Sequence, residues 1–188
     1  MSQRTRHGVF DAAVDQTLFL WVDVKTDGVD TWPHVVRALK PLRSRGYLST
    51  LTRTGFRHGP VTVIGTGNTP LELIAPIGSR DYFLDGPLLS LGAQDITREI
   101  SPIASAQLSA AVGEAGNAGL NATQVGRVKQ LVDQAEQLGI GVRFWDLPGW
   151  PPSRRNTVWK QLHEAGVYLV NADDLEAAAA LDGVGAEW

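Results

Sequence analysis

Two charged residues, two positions apart at the end of an apolar run, are the first candidates for chemistry. If LFLWVDVK (18–25) is a strand, its side chains alternate between faces. Leu18, Leu20, Val22 and Val24 then share an apolar face, and Phe19, Trp21, Asp23 and Lys25 share the other. A carboxylate is a hard oxygen ligand of the kind Mg2+ takes. A lysine beside it can hold a phosphate oxygen as a point charge. The pattern therefore points to metal and phosphate chemistry. The plainer alternative is that Asp23 and Lys25 neutralise each other or a neighbouring strand, because an unpaired buried charge costs several kcal/mol.

The run VRFWD (142–146) repeats the design, with Val142 and Phe144 on one face and Arg143 and Trp145 on the other. An indole at a strand end can pack against an apolar or charged head group, or simply fill the top layer of a core. Asn171, at the end of VYLVNADD (167–174), joins Lys25, Arg143 and Trp145 as a substrate-binding candidate. Of the acids beside it, Asp173 or Asp174 is expected to cap the helix that follows. Asp85 closes YFLD in a similar way. His7, His34, His58 and His163 share no metal-ligand spacing and are expected to be non-catalytic. GTGN (65–68) lacks the ending of a P-loop and reads as a tight turn. There is no Gly-x-Ser-x-Gly elbow. The absence of cysteine excludes thiolate metal sites and thiol nucleophiles.

Short apolar runs alternate with amphipathic stretches. Strands are predicted at 18–25, 61–65, 82–85, 100–105, 140–146 and 167–174. Helices are predicted at 31–46, with Thr31 as N-cap and a break at Pro41, and after Thr69–Pro70. Further helices are expected at 121–139, 154–166 and 175–181. Residues 106–121, rich in Ala, Gly, Ser and Asn, read as a loop or loosely packed insertion. The order is βα repeated about six times, which parallel sheets with helical crossovers produce. The expected fold class is α/β of the parallel (β/α)8 TIM-barrel type, incomplete, because a whole barrel takes about 250 residues. The expected organisation is a lead-in at 1–17, the partial barrel at 18–181 and a tail at 182–188.

The 188 residues carry a net charge of −3, 43% apolar and 20% charged side chains, 20 Gly and 10 Pro. That composition excludes general disorder. It argues against a nucleic-acid partner, which calls for a basic face. No apolar run reaches the ~20 residues of a membrane span, and no apolar segment follows the basic N-terminus to make a signal peptide. Cellular location is not legible.

VDVKTDG (22–28), VTVIGTGNTPLEL (61–73), YFLDGPL (82–88), SPIAS (101–105), VRFWDLPGWP (142–151) and VYLVNADDLEA (167–177) occur in this order. Together they resemble the later part of a domain of the PLC-like phosphodiesterase superfamily, in a fungal branch. That superfamily includes glycerophosphodiester phosphodiesterases and sphingomyelinase D. The resemblance runs from about residue 8 to 181. It implies a (β/α)8 barrel and hydrolysis of a lipid or glycerol phosphodiester, using two histidines and a Mg2+ held by three carboxylates. Asp23 matches the third of those carboxylates, Lys25 the phosphate-binding lysine, and Trp145 the aromatic lining the substrate pocket.

The segment carrying both family histidines and the acidic pair has no counterpart here, and His7 is not at a strand end. One aspartate is a poor Mg2+ site, so the cofactor is expected to be weakly bound or absent and the chain alone inactive. A truncated chain and a non-catalytic remnant that binds a phosphorylated ligand or a partner both fit. Open sheet edges would invite self-association. A third class, an open doubly wound sheet binding a small metabolite, calls for a Gly-rich phosphate loop that VDVKTDG does not supply.

Overall fold

A computed structural model describes residues 8–11, 13–93 and 95–181. His7, part of the lead-in and the tail at 182–188 lie outside the described residues. The chain clusters into two compact units, Met1–Asp85 and Gly86–Trp188.

The first unit is built on parallel strands. β1 (Leu18–Val24) is followed by α1 (Gly28–Ala38), α2 (Lys40–Ser44), β2 (Thr50–Thr52), β3 (Gly55–Arg57), β4 (Val61–Gly67), α3 (Leu71–Ile74) and β5 (Phe83–Pro87), whose last two residues open the second unit. β1 lies parallel to β4, from Leu18 opposite Val61 to Val24 opposite Gly67. β4 lies parallel to β5, with Ile64 opposite Phe83 and Gly65 opposite Leu84. The first five residues of β4 are all buried, as expected of an apolar run inside a parallel sheet. Its one polar member there, Thr62, exchanges hydroxyl hydrogen bonds with Ser49 at 2.7 Å and Thr17 at 2.8 Å, which removes the penalty of burying it.

Helix α1 begins three residues before its expected start. Asp27 is the N-cap and accepts from the Asp30 amide at 2.9 Å, so the expectation of Thr31 as cap is corrected. A carboxylate also suits the positive end of the helix dipole. The break expected at Pro41 is present: α1 ends at Ala38 with Leu39 as its C-cap, and Pro41 sits in the first turn of α2. Thr69 does not cap α3, because its hydroxyl donates to the Thr66 carbonyl at 2.7 Å while Pro70 takes the cap position.

The hairpin β2–β3 was not expected from the sequence. Thr50 pairs with Arg57, Leu51 with Phe56 and Thr52 with Gly55. Gly55, at φ 113°, allows the tight turn. Two backbone hydrogen bonds between Leu51 and Arg80 hold the hairpin to the segment that leads into β5.

In the second unit a 3-10 segment (Leu88–Ala93) precedes β6 (Ile103–Gln107), α4 (Leu108–Val112), α5 (Ala122–Glu136), β7 (Gly141–Trp145), α6 (Pro152–Glu164), β8 (Leu169–Val170) and α7 (Leu175–Ala179). β6, β7 and β8 are parallel neighbours in that order. Val128, Leu131, Val132 and Ala135 are the buried positions of α5. They recur at helical spacing, as the sequence requires of a core-facing stripe. Asn121 and Gln124 close a reciprocal capping box at its start. Leu138, inside the 121–139 helix expected from the sequence, lies past the end of α5 and is exposed.

The reading of 106–121 as a loose insertion is corrected. The strand runs on to Gln107, α4 follows, and Leu108, Ala115 and Leu120 are buried. Small residues hid the helix, because they carry little hydrophobic period while still packing closely. Both units thus show an α/β fold with parallel strands and intervening helices, and all six expected strands are present. No described helix is long and apolar enough to cross a membrane.

Candidate functional site

In the first unit the polar groups gather where β1, β4 and β5 end. Asp23 lies opposite Thr66 in the β1–β4 register. The Thr66 hydroxyl donates to Asp85 Oδ2 at 3.0 Å on the next strand. Registered neighbours in a sheet share a face, so Asp23, Thr66 and Asp85 form one lateral row. Lys25 Nζ meets Asp23 Oδ2 at 2.7 Å, with the side chains 80% and 47% exposed. The two charges therefore pair with each other in water. The plainer alternative, that the two charges neutralise each other, is the arrangement present, and solvent rather than burial surrounds them. An exposed pair of this kind stabilises little, which leaves both groups able to exchange partners.

The loop after β1 and the loop after β4 are joined. The Asn68 amide donates to the Val24 carbonyl at 2.8 Å, and Asn68 Nδ2 donates to the Thr26 carbonyl at 3.0 Å. A Cβ on Gly28 would lie 1.8 Å from the Asn68 carbonyl oxygen. Gly67 turns at φ 66° beside Asp23 Oδ1. The glycines of VDVKTDG and GTGN thus allow two backbones to touch and fix the strand end that carries Asp23. GTGN is a tight turn, as expected.

In the second unit Arg143 and Trp145 lie on the face of β7 opposite to the buried Val142 and Phe144. The Arg143 guanidinium donates to Asn171 Oδ1 after β8 and reaches Ser105 Oγ on β6 at 3.4 Å. Arg143 and Asn171, both singled out from sequence, are therefore in direct contact. Trp145 is 41% exposed, so the core covers only part of its indole. Asp146 follows at φ 57° and accepts from Gln107 Nε2 at 2.7 Å. Asn171 also lines a cavity of about 360 Å³ with Asp146, Arg155, Trp159 and Asp173. The expected helix cap is Asp174, which accepts from the Ala177 amide at 3.0 Å and pairs with Arg155 at 2.9 Å. These bonds, the amide first, hold its carboxyl below the ordinary range.

Among the described residues no group of three or more His, Cys, Asp or Glu side chains stands together as a metal site. Asp23 and Asp85 lie two strands apart, roughly 9–10 Å between strand axes, whereas Mg2+ needs its oxygens at about 2.1 Å. Asp23 is also held by Lys25. The described residues do not fit a Mg2+ centre by themselves.

Sequence reasoning missed Thr66, Ser105 and Gln107, which orient the acids and the arginine. Each is an uncharged polar residue at an alternating position of an otherwise apolar strand, which is the signal that could have found them.

A parallel α/β protein with polar rows at its strand ends is the class this geometry defines. The AIM6-like phosphodiesterase domain model matches residues 1–85. The chain is 48% identical over 182 residues to an Altered inheritance of mitochondria protein 6 homolog of Arthroderma benhamiae, covering 95% of this chain and 57% of that protein. It is 32% identical over 188 residues to Altered inheritance of mitochondria protein 6 of Eremothecium gossypii, covering 92% and 48%. The Saccharomyces cerevisiae protein of that name is 29% identical over 199 residues, with 94% and 50% covered. The chain is a homologue of these fungal proteins, as the sequence motifs implied. It spans about half the length of the curated relatives it matches. No solved structure matches it.

Proposed function

We propose that this chain forms part of a phosphodiesterase-like protein acting on lipid or glycerol phosphodiesters, its strands being units of a (β/α)8 barrel. The observation that carries this reading is homology over 95% of the chain to AIM6-like proteins, with the family model spanning the strand that bears Asp23 and Lys25. Lys25 binds a phosphate oxygen. Asp23 supplies one carboxylate to a Mg2+ site that needs further ligands. Arg143, Trp145 and Asn171 recognise the head group.

Phosphodiester hydrolysis needs an acid–base pair and a stabilised anionic transition state, and the described residues bring no such pair together. The chain alone is therefore expected to show no turnover of a chromogenic phosphodiester above buffer, with or without Mg2+. In a relative carrying the whole domain, the substitution equivalent to Asp23→Ala is expected to abolish Mg2+-dependent hydrolysis. Unchanged hydrolysis in that variant rejects the role given to Asp23.

A second reading is binding of a phosphorylated ligand without turnover. It is favoured by the Lys25 ammonium, which stands 80% exposed and pairs with Asp23. Equilibrium dialysis with glycerol phosphate separates the two: retention without hydrolysis by the whole domain supports this second reading. Self-association through the outer strands is a further part of the proposal. Sedimentation velocity is expected to show mass rising with concentration, and a constant monomer mass rejects it.

A further inference from the structure

The hairpin β2–β3 walls a second polar cleft in the first unit, of about 390 Å³. Its lining holds three guanidinium groups, Arg43, Arg57 and Arg80, against one carboxylate, Asp81. That carboxylate is already engaged: Arg43 grips it through Nη2 at 2.8 Å and through Nε. Arg80 is buried at 6% exposure and forms part of the wall. Arg57 is exposed, reaches Thr50 Oγ1 at 3.3 Å, and has no carboxylate within ion-pair distance among the described residues. Thr50, Thr52 and Ser79 add hydroxyl-bearing residues to the lining, and Val36, Leu51 and Tyr82 complete it.

The position of the cleft separates it from Asp23 and Lys25. Leu48 pairs with Val61, the first residue of β4, and Tyr82 directly precedes Phe83, the first residue of β5. The cleft therefore lies at the starts of β4 and β5, whereas Asp23 lies beside Thr66 near the end of β4. Seven residues of extended chain put roughly 20 Å between these two ends.

We infer that this cleft binds a phosphate-type oxyanion through Arg57, beside the Arg43–Asp81 pair. A lining that carries three guanidinium charges against one carboxylate, with that carboxylate already engaged, attracts an anion. A planar fork such as that of Arg57 suits paired phosphate oxygens. The ligand is the free ion, a soluble phosphate ester or a lipid phosphate; all three present the same group. The inference does not depend on the phosphodiesterase reading, which uses the other end of the sheet.

Amide NMR of the full chain titrated with inorganic phosphate at constant ionic strength tests it. Amides of Thr50–Arg57 and Ser79–Asp81 are expected to shift with a dissociation constant on the order of 1 mM or tighter. Arg57→Gln is expected to weaken that response about ten-fold, and Arg57→Lys to keep part of it because the charge remains. Lys25→Gln is expected to leave it unchanged. Silent hairpin amides, or an undiminished response in Arg57→Gln, would overturn the inference. Shifts confined to Lys25–Gly28 would overturn it too, while leaving the proposed function standing. Co-sedimentation with phosphatidylcholine vesicles, with and without phosphatidic acid, distinguishes the source. Arg57-dependent binding only when phosphatidic acid is present supports a lipid phosphate. Binding of phosphate without vesicle binding supports a soluble one.

Discussion

Trp145 carries the sharpest contrast between packing and recognition among single side chains. At 41% exposure it has lost only part of its surface to the fold, so truncation should cost much less than the 3–5 kcal/mol typical of a buried aromatic. Trp145→Ala is expected to lower stability by about 1–2 kcal/mol in urea unfolding. In a relative carrying the whole domain, the equivalent change is expected to alter substrate affinity and preference. A loss of more than about 3 kcal/mol with unaltered binding would make the indole a packing residue. Asp81 behaves in the opposite way. It is buried and gripped by Arg43, whose guanidinium it holds above the ordinary range mainly through that hydrogen bond. Asp81→Asn leaves the arginine without its counter-charge. With Arg43 partly solvated, the expected cost is about 1–3 kcal/mol, below the 3–5 kcal/mol of a fully buried pair, measured as a fall in the urea midpoint.

Elements, more than residues, decide how the candidate sites are held, and two loops welded together do this for Asp23. Gly28→Ala places a Cβ 1.8 Å from the Asn68 carbonyl, a contact that only separation of the loops can relieve. The substitution is expected to reduce hydrogen-exchange protection at Asn68 and lower the melting temperature, whereas Gly126→Ala, where a Cβ meets nothing, should raise stability by about 1 kcal/mol. An unchanged melting temperature in Gly28→Ala would show that the loops do not depend on their close approach. This weld also shows what could be read in advance. The strands were legible because β4 and β7 carry continuous or alternating apolar runs, and α5 because Val128, Leu131, Val132 and Ala135 repeat at helical spacing. GTGN was visible as a turn. The contact between Gly28 and Asn68 was not, because it joins residues forty apart in sequence. The hairpin at 50–57 was hidden for another reason: its strands are three residues long, too short for alternation to show. Asp23 and Lys25 were legible as a same-face pair from their spacing. Their exposure was not, since it depends on what covers the strand end.

At the scale of the whole molecule, the alkaline limit of folding can be argued from one buried phenol. Tyr82 is 8% exposed and meets Trp32 edge to face at 5.4 Å. Burial raises its pKa above the ordinary 10.0, the Asp81 carboxylate raises it further, and Arg80 and Arg43 oppose the rise. The folded protein thus binds the phenolic proton more tightly than the unfolded chain does. Stability from this group is complete below about pH 10, declines as the unfolded chain begins to ionise, and is lost as pH rises through the folded value. Melting temperature is therefore expected to fall from about pH 10 upward. The Tyr82 phenolate should appear only above the ordinary pH range of a tyrosine. Tyr82→Phe removes the titrating proton but keeps the ring against Trp32, so its melting temperature should fall less steeply over the same range. A variant whose alkaline decline is as steep as that of the wild type would show that the effect does not come from Tyr82 at the start of β5.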